Sequence, residues 1–568
     1  MAQYKLYPTR KIHNLREMLE ESASLYGGNP AFLQKIDGSY KAFSFVRFKN
    51  EVFALGTALI HRSFAGRKII VMGENCYAWC LSYMTTVCGL GVVVPVDKEI
   101  PAEEIANIAR ISEAALILYS PKYEKKLACV DPSVCRVSFD EIPALIEEGS
   151  NLLSDGDNRY AEQSIDIDAL CSLIFTSGTT GVSKGVMLSQ RNICHTIENL
   201  ARMVYVDTED RALSVLPLHH VYECTCGFLF PIFCGASVAF SEGVRYIMRN
   251  LKEVRPTKML CVPLLIETMY RKIWSNIRKK GIEKKVRNVI AATNKVQPYS
   301  ARMAIKKKFF REIHESFGGR LDLLVSGGAP INPEVIRGMR DFGINIIQGY
   351  GLTESAPLAA VNHDSYFSDR SAGLVLPQGE LKILDPAEDG TGEICYRGDN
   401  VMMGYYNQPE LTAEVKRNGW LHTGDIGFID GNGFLVITGR KKNVIIRANG
   451  KNVFPEELEA YLSRNPLVGE VVVVGMVNEK KKDTDIVAAI LPDTEVAKEV
   501  LGDAYTEGAL EVALQEIVNG VNDIVQTYKR IDVLLVRQEE FPKNTSKKIK
   551  RFELPALLKD AYQAKISE

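Results

Sequence analysis

The chain has 568 residues, with 69 Lys and Arg against 70 Asp and Glu, which gives a formal net charge of −1. Hydrophobic residues make up 46% and charged residues 24%, a composition that is typical of globular proteins and excludes an intrinsically disordered chain. The balanced charge also argues against a protein whose whole surface attracts nucleic acid. At roughly 100–200 residues per domain, the length predicts about three or four structural units.

The sequence indicates neither a secretory signal nor a membrane span. Residues 1–21 carry charges without an apolar run, and the uncharged stretch Cys224–Phe240 contains Gly and Pro and is shorter than a span of about 20 residues. We expect a buried helix followed by a strand there. The 12 cysteines form no CxxC pair, which favours unpaired thiols in a reducing compartment. The prediction is a cytoplasmic protein without a transmembrane segment.

The first 120 residues alternate between helical and β patterns. Amphipathic spacing predicts helices at Asn14–Tyr26 and Tyr77–Gly89, and short apolar runs predict strands at Lys68–Met72, Gly91–Val96 and Ala114–Tyr119. This alternation is typical of an α/β domain with a largely parallel sheet. Further strands are predicted at Leu170–Phe175, Ala212–Leu216, Ser237–Phe240, Met259–Val262, Leu321–Val325 and Ile344–Gln348.

The pattern changes from Ile437 onwards. This part of the chain predicts a small α+β unit of about 125 residues, which is long enough for its own core. We place the domain boundary near Gly439–Lys442, which divides the chain into residues 1–439 and 440–568. The predicted helices and strands of the small unit are Glu456–Leu462, Glu470–Val477, Ile486–Leu491, Glu507–Ile524 and Val533–Val536.

One segment of the first domain is strongly basic. Arg271–Arg287 holds eight Lys or Arg and one acid. We interpret it as a solvated face of a helix, with contact to an acidic partner or a membrane surface as the alternative.

The sharpest local motif is the Ser/Thr/Gly-rich segment Thr176–Gly185, which follows the predicted strand Leu170–Phe175. Its glycines allow a tight turn whose N–H groups point inwards, its hydroxyls add donors, and Lys184 adds a positive charge. These groups suit a polyphosphate, although the spacing is not that of a Walker A loop. By composition alone a flexible turn is an equal alternative, and the position after a strand favours phosphate binding.

Two further motifs also follow predicted strands. Ser326–Pro330 contains small residues that would let a flat ligand lie against the backbone, although a tight turn explains it as well. Gly349–Ser355 offers the ring of Tyr350, the hydroxyl of Thr353 and the carboxylate of Glu354, which is a hard oxygen ligand for Mg²⁺. Open α/β sheets bind ligands beyond the carboxyl ends of their parallel strands, so these motifs predict a ligand site.

Polar residues later in the chain add to this set. Asp425, in Thr-Gly-Asp, could accept hydrogen bonds from two ribose hydroxyls, and Arg440, in Gly-Arg-Lys-Lys, could donate to ribose or phosphate. Each has an ordinary alternative role as a turn or surface residue. The basic segment Pro542–Arg551 is, taken alone, a solvated surface loop.

Taken together and in this order, these segments resemble the adenylate-forming superfamily of acyl- and aryl-CoA synthetases, luciferases and peptide-synthetase adenylation domains. The similarity runs from about Leu15 to Arg551 and includes matches to TSGTTGxxKG, YGLTE, TGD, GRKK and PKxxxxKIxR. Within the superfamily the chain is most similar to long- and medium-chain fatty acid–CoA ligases. Leu216–Glu223 is close to their LPLxHxYE pattern, and Gly398–Tyr406 and Gly450–Glu456 fit as well.

The resemblance implies a fold and a reaction. The fold is α/β, with a large multi-layered N-terminal domain of parallel-rich sheets and a small mobile α+β C-terminal domain joined to it by a hinge. In the reaction a fatty carboxylate attacks the α-phosphate of ATP, giving an acyl-adenylate and pyrophosphate, and the thiol of CoA then displaces AMP. ATP, Mg²⁺, CoA and a fatty carboxylate are therefore the expected ligands. No nucleic acid is expected, and peripheral membrane contact and a homodimer are left open.

The resemblance also implies roles for individual residues. The ATP or AMP site would consist of Thr176, Ser177, Gly178, Thr179, Thr180, Gly181, Lys184, Gly328, Ala329, Tyr350, Gly351, Asp425 and Arg440. Thr353 would contact the α-phosphate, Glu354 would bind Mg²⁺, and Lys548 would act in catalysis by neutralising charge between the carboxylate and the α-phosphate. The acyl pocket would include His220, Val221 and Cys224, although His220 has a core histidine as its alternative. Lys442 would be the hinge, and Gly450 and Lys451 would line the thiol tunnel.

Two positions depart from the family pattern. Ser183 stands where Pro is commoner in the phosphate loop, and Lys547 stands where Gly usually precedes the catalytic lysine. We assign the catalytic role to Lys548 because its spacing from Pro542 and to Arg551 fits the family motif.

The pocket candidates, which also include Thr225, Cys261 and Val262, are mostly small or apolar and carry no fixed cation, which favours an apolar acyl tail. Cys224 stands where some long-chain enzymes carry a bulky aromatic gate. Chain length is not predicted, and an acyl carrier protein thiol is an open alternative to CoA. An amino-acid-activating domain fits less well, because the segment around His220 lacks an Asp. A non-catalytic nucleotide sensor is the alternative from a different class, and nothing in the chain points to a luciferase-type oxygenase.

Although the net charge is close to zero, the basic residues are concentrated in particular segments. Ile437–Lys451 and Lys543–Arg551 each contain five Lys or Arg and no acid. The resemblance places both segments near ATP and CoA, so we expect positive charge to be concentrated where these phosphate-rich substrates enter.

Overall fold

The structure, a computed structural model, describes residues 4–177, 183–448, 451–543 and 549–567. The chain folds into two compact units. The first unit holds Met1–Leu381, Tyr396–Leu421 and Gly433–Leu435, and the second holds Lys382–Cys395, His422–Asn432 and Val436–Glu568. The boundary at residues 439 and 440 stays a prediction.

A seven-stranded sheet forms one layer of the first unit. Its central strands are parallel, and antiparallel strands close one edge. This is the sheet that carries the predicted phosphate loop. In spatial order its strands are Gly404–Tyr405, Ser183–Ser189, Leu170–Ser177, Gly91–Val96, Arg67–Met72, Ala114–Tyr119 and Cys135–Ser138.

A nine-stranded sheet forms the other layer. Its six inner strands are parallel, and antiparallel pairs lie at both edges. In spatial order the strands are Leu374–Val375, Ala360–Val361, Asn345–Tyr350, Leu323–Ser326, Lys258–Cys261, Arg211–Ser214, Ser237–Phe240, Pro30–Ile36 and Ser39–Ser44.

Helices cover both faces of these sheets, because strands that are apolar on both sides must be buried on both sides. One large core includes residues of both sheets and of the helices beside them, and two smaller cores include the remaining sheet residues and further helices. The α-helices of the unit are Leu15–Tyr26, Phe45–His61, Tyr77–Thr85, Ala102–Ser112, Ile142–Ser154, Gln190–Met203, Phe230–Cys234, Ile247–Val254, Pro263–Lys279, Glu283–Thr293, Tyr299–Phe309, Arg311–Ser316, Pro333–Asp341 and Pro409–Val415.

The second unit contains the predicted small α+β fold. A three-stranded sheet of Val468–Asn478, Asp483–Pro492 and Val533–Val536 is packed by helices on both faces. The helices are Pro455–Leu462, Thr494–Leu501, Glu507–Ile524 and Leu554–Lys565. A strand pair, Ile445–Ile446 with Asn452–Val453, lies near its start. Most residues of a five-stranded sheet also belong to this unit, and its strands are Glu380–Leu384, Gly392–Arg397, Trp420–Ile429, Lys416–Arg417 and Leu435–Arg440.

The α/β architecture with two dissimilar units is confirmed, and most predicted elements occur within one or two residues of their predicted ends. The first helix begins at Leu15 because the side chain of Asn14 accepts from the Glu17 N–H and caps it. The predicted helix Tyr77–Gly89 differs: its α-helical part ends at Thr85 and continues as a π-helical turn, Thr86–Leu90. Gly89 has a φ of +144°, which is not helical and ends the run.

All 12 cysteines are unpaired thiols, as expected. Among the described residues no helix combines the length and apolar character needed to cross a membrane. Cys224–Phe240 forms a π-helical turn, Glu223–Leu229, the short helix Phe230–Cys234, and the strand Ser237–Phe240. The prediction of a buried helix followed by a strand is therefore right.

Candidate functional site

The carboxyl ends of four parallel strands meet at one edge of the nine-stranded sheet. Arg211–Ser214, Lys258–Cys261, Leu323–Ser326 and Asn345–Tyr350 are neighbours in that order. The segments that follow them, residues 215–222, 262, 327–330 and 351–355, therefore leave the same edge of the sheet. Three of the predicted motifs lie in these segments, which is the expected place for a ligand site of an open α/β sheet.

Glycines have two different roles in these segments. Gly328 has a φ of +83°, which favours Gly, and the nearest atom to an added Cβ is Val262 Cγ1 at 4.0 Å. Ala329 beside it is exposed, so this turn presents open backbone. At Gly351 there is no room, because an added Cβ would lie 1.8 Å from the carbonyl oxygen of Pro357. The first glycine leaves a surface for a ligand, and the second allows two backbone segments to pack.

The predicted phosphate loop connects two antiparallel strands. Leu170–Ser177 and Ser183–Ser189 form a hairpin in which Thr176 pairs with Lys184, and Thr176 Oγ1 donates to the Lys184 carbonyl at 3.5 Å. On its other side the first strand pairs in parallel with Gly91–Val96. The loop thus leaves the carboxyl end of a parallel strand, as predicted, and returns as an antiparallel strand. The predicted ligands Gly178, Thr179, Thr180 and Gly181, and the side chain of Ser177, lie outside the described residues.

Tyr405 connects Glu354 with Lys184. Its hydroxyl donates to Glu354 Oε1 at 2.7 Å, and Lys184 Nζ lies 5.4 Å from the centroid of its ring. The strand Gly404–Tyr405 pairs with Ser183–Ser189, so Tyr405 belongs to the sheet of the phosphate hairpin. Burial, and then the charge of Glu354, raises the pKa of Tyr405, which keeps its hydroxyl protonated as a donor. Residues from three distant segments therefore form one cluster.

A buried asparagine fixes the turn that carries Thr353 and Glu354. Asn400 Nδ2 donates to the carbonyl of Ser355 at 2.8 Å and to that of Leu358 at 2.6 Å. The Asn400 side chain is fully buried, while Thr353 and Glu354 remain partly exposed. The buried Asn400 thus fixes the backbone of the turn, while the side chains of the two predicted site residues remain accessible to a ligand.

A second hydrogen-bond chain holds the segment before Glu223. Asn75 Nδ2 donates to Ser214 Oγ at 2.8 Å and to the Leu216 carbonyl at 2.6 Å, and the Leu218 N–H donates to Asn75 Oδ1 at 3.1 Å. Ser214 Oγ in turn donates to Glu223 Oε1 at 2.6 Å. These bonds fix the loop that carries the ligase-like LPLHHVYE motif at its start and at its end.

The carboxyl of Glu223 is buried and has one hydrogen-bond partner. Only 1% of the residue is exposed, and Oε2 has no hydrogen-bond partner among the described residues. Burial raises the pKa of Glu223 to about 8, and the bond from Ser214 opposes this shift. The group is therefore largely neutral at pH 7, which is unusual for a glutamate and was not predicted.

Two of the predicted acyl-pocket residues, Val221 and Cys224, lie within two residues of Glu223 in the chain and are uncharged. Val221 and Cys224 are buried, and burial raises the pKa of the Cys224 thiol, which stays neutral. His220 is half-buried, with its ring centroid 4.2 Å from that of His219. Burial, and then the charge of His220, lowers the pKa of His219 well below its usual value. These buried, uncharged side chains suit an apolar ligand better than a charged one.

In the second unit, Asp425 and Arg440 form an ion pair. They lie on neighbouring strands, Trp420–Ile429 and Leu435–Arg440, and Arg440 Nε is 2.9 Å from Asp425 Oδ1. Asp425 is buried, whereas the Arg440 side chain is 57% exposed. The two residues that the resemblance assigns to ribose are thus adjacent in this unit.

The hinge and tunnel candidates also belong to the second unit. Lys442 lies in the exposed 3₁₀ turn Lys441–Asn443, and Lys451 is exposed, with Nζ 6.0 Å from the Tyr528 ring centroid. Gly450 and the catalytic candidate Lys548 lie outside the described residues.

Six of the ten basic residues in the two predicted charge runs are paired with acids within the described part of the chain, and most of these acids are distant in the sequence. Ion pairs join Arg447 to Asp483 and Asp532, and Lys543 to Glu470 and Glu540. Further pairs are Lys441 with Glu393, Lys550 with Glu553 and Arg551 with Glu459. The linear charge runs therefore overstate the local field.

Among the described residues no group of three or more His, Cys, Asp or Glu side chains could hold a metal ion. Glu354 can still contribute one ligand, since its Oε2 has no hydrogen bond within the described part of the chain. This fits Mg²⁺, which commonly takes one or two carboxylates together with phosphate oxygens and water.

Sequence reasoning missed Tyr405, Asn400 and the neutral state of Glu223. Tyr405 and Asn400 lie within the ligase-like segment Gly398–Tyr406. The motif is therefore visible in the sequence, whereas the hydrogen bonds that these two residues make are not. No signal in the sequence distinguishes Tyr405 from Tyr406, because only the register with Ser183–Ser189 decides which ring lies beside Lys184.

Comparison with known protein families agrees with this geometry. Residues 19–406 match the family model of AMP-binding enzymes, and residues 442–567 match that of the AMP-binding enzyme C-terminal domain. Fatty acyl-CoA synthetase A of Dictyostelium discoideum is 29% identical over 505 residues, which cover 83% of this chain and 74% of that protein. A chloroplastic long-chain-fatty-acid–acyl-carrier-protein ligase of Arabidopsis thaliana, AEE15, is 26% identical over 584 residues, covering 88% and 79%.

A solved structure shares the fold. The o-succinylbenzoate coenzyme A synthetase MenE of Bacillus subtilis, in complex with ATP and magnesium ion, superposes with a TM-score of 0.72 at 21% identity. The match covers 94% of this chain and 98% of that one. Family models that together match most of the chain lead to one conclusion: the chain belongs to the AMP-binding, adenylate-forming enzyme superfamily.

Proposed function

We propose that this protein is an AMP-forming acid–thiol ligase that activates a medium- or long-chain fatty carboxylate with ATP and transfers the acyl group to CoA. The observation that carries the proposal is the set of buried, uncharged side chains of Val221, Glu223 and Cys224, which follows one of the parallel strands whose carboxyl ends meet at the candidate site. An apolar acyl tail would fit there, since it needs no charged partner. The names of the two relatives, a fatty acyl-CoA synthetase and a long-chain-fatty-acid ligase, support a fatty substrate.

In the first half-reaction, the carboxylate oxygen attacks the α-phosphorus and the bond to pyrophosphate breaks. Thr176–Lys184 would hold the β- and γ-phosphates, and Gly328, Ala329 and Tyr350 would flank the adenine. Mg²⁺, when bound, would supply positive charge to the phosphates, and Glu354, whose Oε2 has no hydrogen bond within the described residues, would hold it. Tyr405 holds Glu354 through its 2.7 Å hydrogen bond to Oε1, which would leave Oε2 for the ligand.

The resemblance assigns the remaining contacts to Asp425, Arg440 and Lys548. Asp425 accepts from the ribose hydroxyls, and Arg440 holds Asp425 in place and donates beside it. Lys548 would donate to the carboxylate and to the α-phosphate, which lowers the barrier by placing a positive charge where negative charge builds up. In the second half-reaction the CoA sulfur attacks the acyl carbon and the bond to AMP breaks. Rotation at Lys442 would bring Gly450 and Lys451 to the thiol.

Acyl carrier protein is the second candidate acceptor. The Arabidopsis relative carries that acceptor in its name, and the adenylation half-reaction would be the same. A cytoplasmic location is part of the proposal and rests on the unpaired thiols.

The test is a screen of carboxylates from acetate to a C18 fatty acid, read out by pyrophosphate release, with CoA or acyl carrier protein as acceptor. We expect release with medium- or long-chain acids and a CoA thioester in the mass spectrum. Turnover with only short-chain carboxylates or only amino acids would contradict the fatty substrate. A thioester formed only on the carrier protein would show that the acceptor is acyl carrier protein and not CoA.

A further inference from the structure

Three consecutive helices of the first unit carry a strong excess of positive charge. They are Pro263–Lys279, Glu283–Thr293 and Tyr299–Phe309. Residues 271–311 contain 14 Lys or Arg and a single acid, Glu283, in a chain whose net charge is −1. None of these residues takes part in the candidate site described above, so the charge needs another explanation.

The fold brings two ends of this segment together. Lys280, just after the first helix, forms an ion pair of 2.7 Å with Glu312, which closely follows the third helix. Residues 278–285 and 307–311 therefore lie at the same end of the helices, and we call them the basic end. It holds eight Lys or Arg and one acid.

Most of the charge at the basic end is directed to solvent. Lys279, Lys284, Lys285 and Lys308 are exposed, and the described part of the chain offers none of them an ion pair. Glu283, the one acid, is already paired with Arg287. Holding four like charges close together without counter-charges is unfavourable for the free protein, and a negative surface would relieve it.

Apolar side chains lie among these lysines. Phe309 is 64% exposed and directly follows Lys308, and Ile282 is 38% exposed and lies between Lys280 and Lys284. Lysines around exposed apolar side chains are typical of surfaces that bind the interface of a membrane. Protein–protein interfaces, in contrast, are depleted in lysine, which argues against an acidic protein as the partner.

We propose that the basic end docks on the surface of an anionic lipid bilayer, with Phe309 and Ile282 inserted at the headgroup level and the lysines against the lipid charges. Each lysine near such a surface strengthens binding. The attraction falls off over about a Debye length from the surface, and this length becomes shorter as the salt concentration rises. The proposal rests on this surface alone and is independent of the reaction that the enzyme catalyses.

The experiment is sedimentation of the full-length protein with vesicles of phosphatidylcholine alone or with 30% phosphatidylglycerol, at about 50 mM and about 500 mM salt. We expect binding to the anionic vesicles at low salt, little at high salt, and little to phosphatidylcholine. The variant Lys279→Gln, Lys284→Gln, Lys285→Gln, Lys308→Gln should bind at least roughly tenfold more weakly. Phe309→Ser should weaken binding with the charge unchanged.

A matched control removes the same charge elsewhere. Lys41, Lys125, Lys480 and Lys559 are exposed and have no ion pair within the described residues, and their replacement by Gln gives the same net charge as the test variant. This control should bind like the wild type, and circular dichroism should show both variants folded. Equal loss in the control would overturn the proposal, because net charge would then explain binding. The proposal would also be overturned if the wild-type protein did not sediment with anionic vesicles, or if it bound an acidic protein and not the vesicles.

Discussion

Replacing Glu223 by Gln should remove a pH-dependent loss of stability. The pKa of Glu223 is raised to about 8 in the folded protein, against 4.5 as its ordinary value. Between these two values the folded state keeps a proton that the unfolded state has lost, so the free energy of unfolding falls as the pH rises. One pKa unit corresponds to about 1.4 kcal/mol, so between pH 5 and pH 8 the wild type should lose about 3–4 kcal/mol relative to the variant.

The glutamine keeps the shape of the side chain and an acceptor for Ser214, and it has no charge to lose. The assay is urea unfolding at several pH values between 5 and 8, followed by tryptophan fluorescence. All three tryptophans, Trp79, Trp274 and Trp420, belong to the first unit, as Glu223 does, so the signal reports the relevant part of the chain. If the wild type and the variant changed in parallel over this range, the burial argument for a neutral Glu223 would be refuted.

The other predictions concern the cluster of Lys184, Glu354 and Tyr405, the proposed catalytic lysine and the backbone of the candidate site. Tyr405→Phe should lower the rate of adenylation about ten- to hundredfold and raise the Mg²⁺ requirement, since a hydrogen bond to a charged group is lost, whereas Tyr406→Phe should do neither. An unchanged Mg²⁺ requirement in the first variant would contradict the positioning role of the tyrosine. Lys548→Ala should abolish carboxylate-dependent pyrophosphate exchange and Lys547→Ala should largely spare it, and the reverse pattern would move the catalytic role to the neighbouring lysine. Gly351→Ala should cause misfolding or strong destabilisation in a thermal melt, because its Cβ would meet a carbonyl oxygen at 1.8 Å, and an equal effect of an alanine at Gly28, which has open space, would contradict that reason.

The sequence predicted the fold well where one periodicity dominates. Buried parallel strands such as Ala114–Tyr119 are continuous apolar runs, and the helix Glu507–Ile524 has a clear amphipathic pattern, so both were placed at their observed ends. The helix from Tyr77 begins where it was predicted, but its C-terminal end differs, because a π-helical turn follows it and local spacing does not distinguish the two helix types over a few residues.

The candidate site was predictable as a set of motifs and not as a set of contacts. The motifs that follow strands marked Thr176, Lys184, Thr353 and Glu354, since strand ends at one sheet edge come together by topology. The bond from Tyr405 to Glu354 joins residues 51 positions apart, one in a strand and the other in the 3₁₀ turn Thr353–Ser355, and it depends on strand register. The neutral state of Glu223 depends on burial by distant residues, which the sequence does not state.

The charge runs of the second unit show the same limit. Five Lys or Arg in Lys543–Arg551 predicted a strong local field, yet Lys543, Lys550 and Arg551 are each paired with a glutamate. Counting along the chain misses such partners, because Glu470 and Glu459 are more than 70 residues away from the lysine or arginine that they pair with. At the basic end of the first unit, in contrast, the excess of Lys and Arg counted along the sequence is also present in the structure, where four of the lysines are exposed and have no ion pair within the described residues.

The most direct test of the central claim is ATP–pyrophosphate exchange without any thiol, followed by addition of CoA. We predict exchange that requires a fatty carboxylate, no net AMP release before CoA is added, and stoichiometric AMP and acyl-CoA afterwards. Nucleotide binding without carboxylate-dependent exchange, or release of ADP and phosphate, would contradict an adenylate-forming ligase.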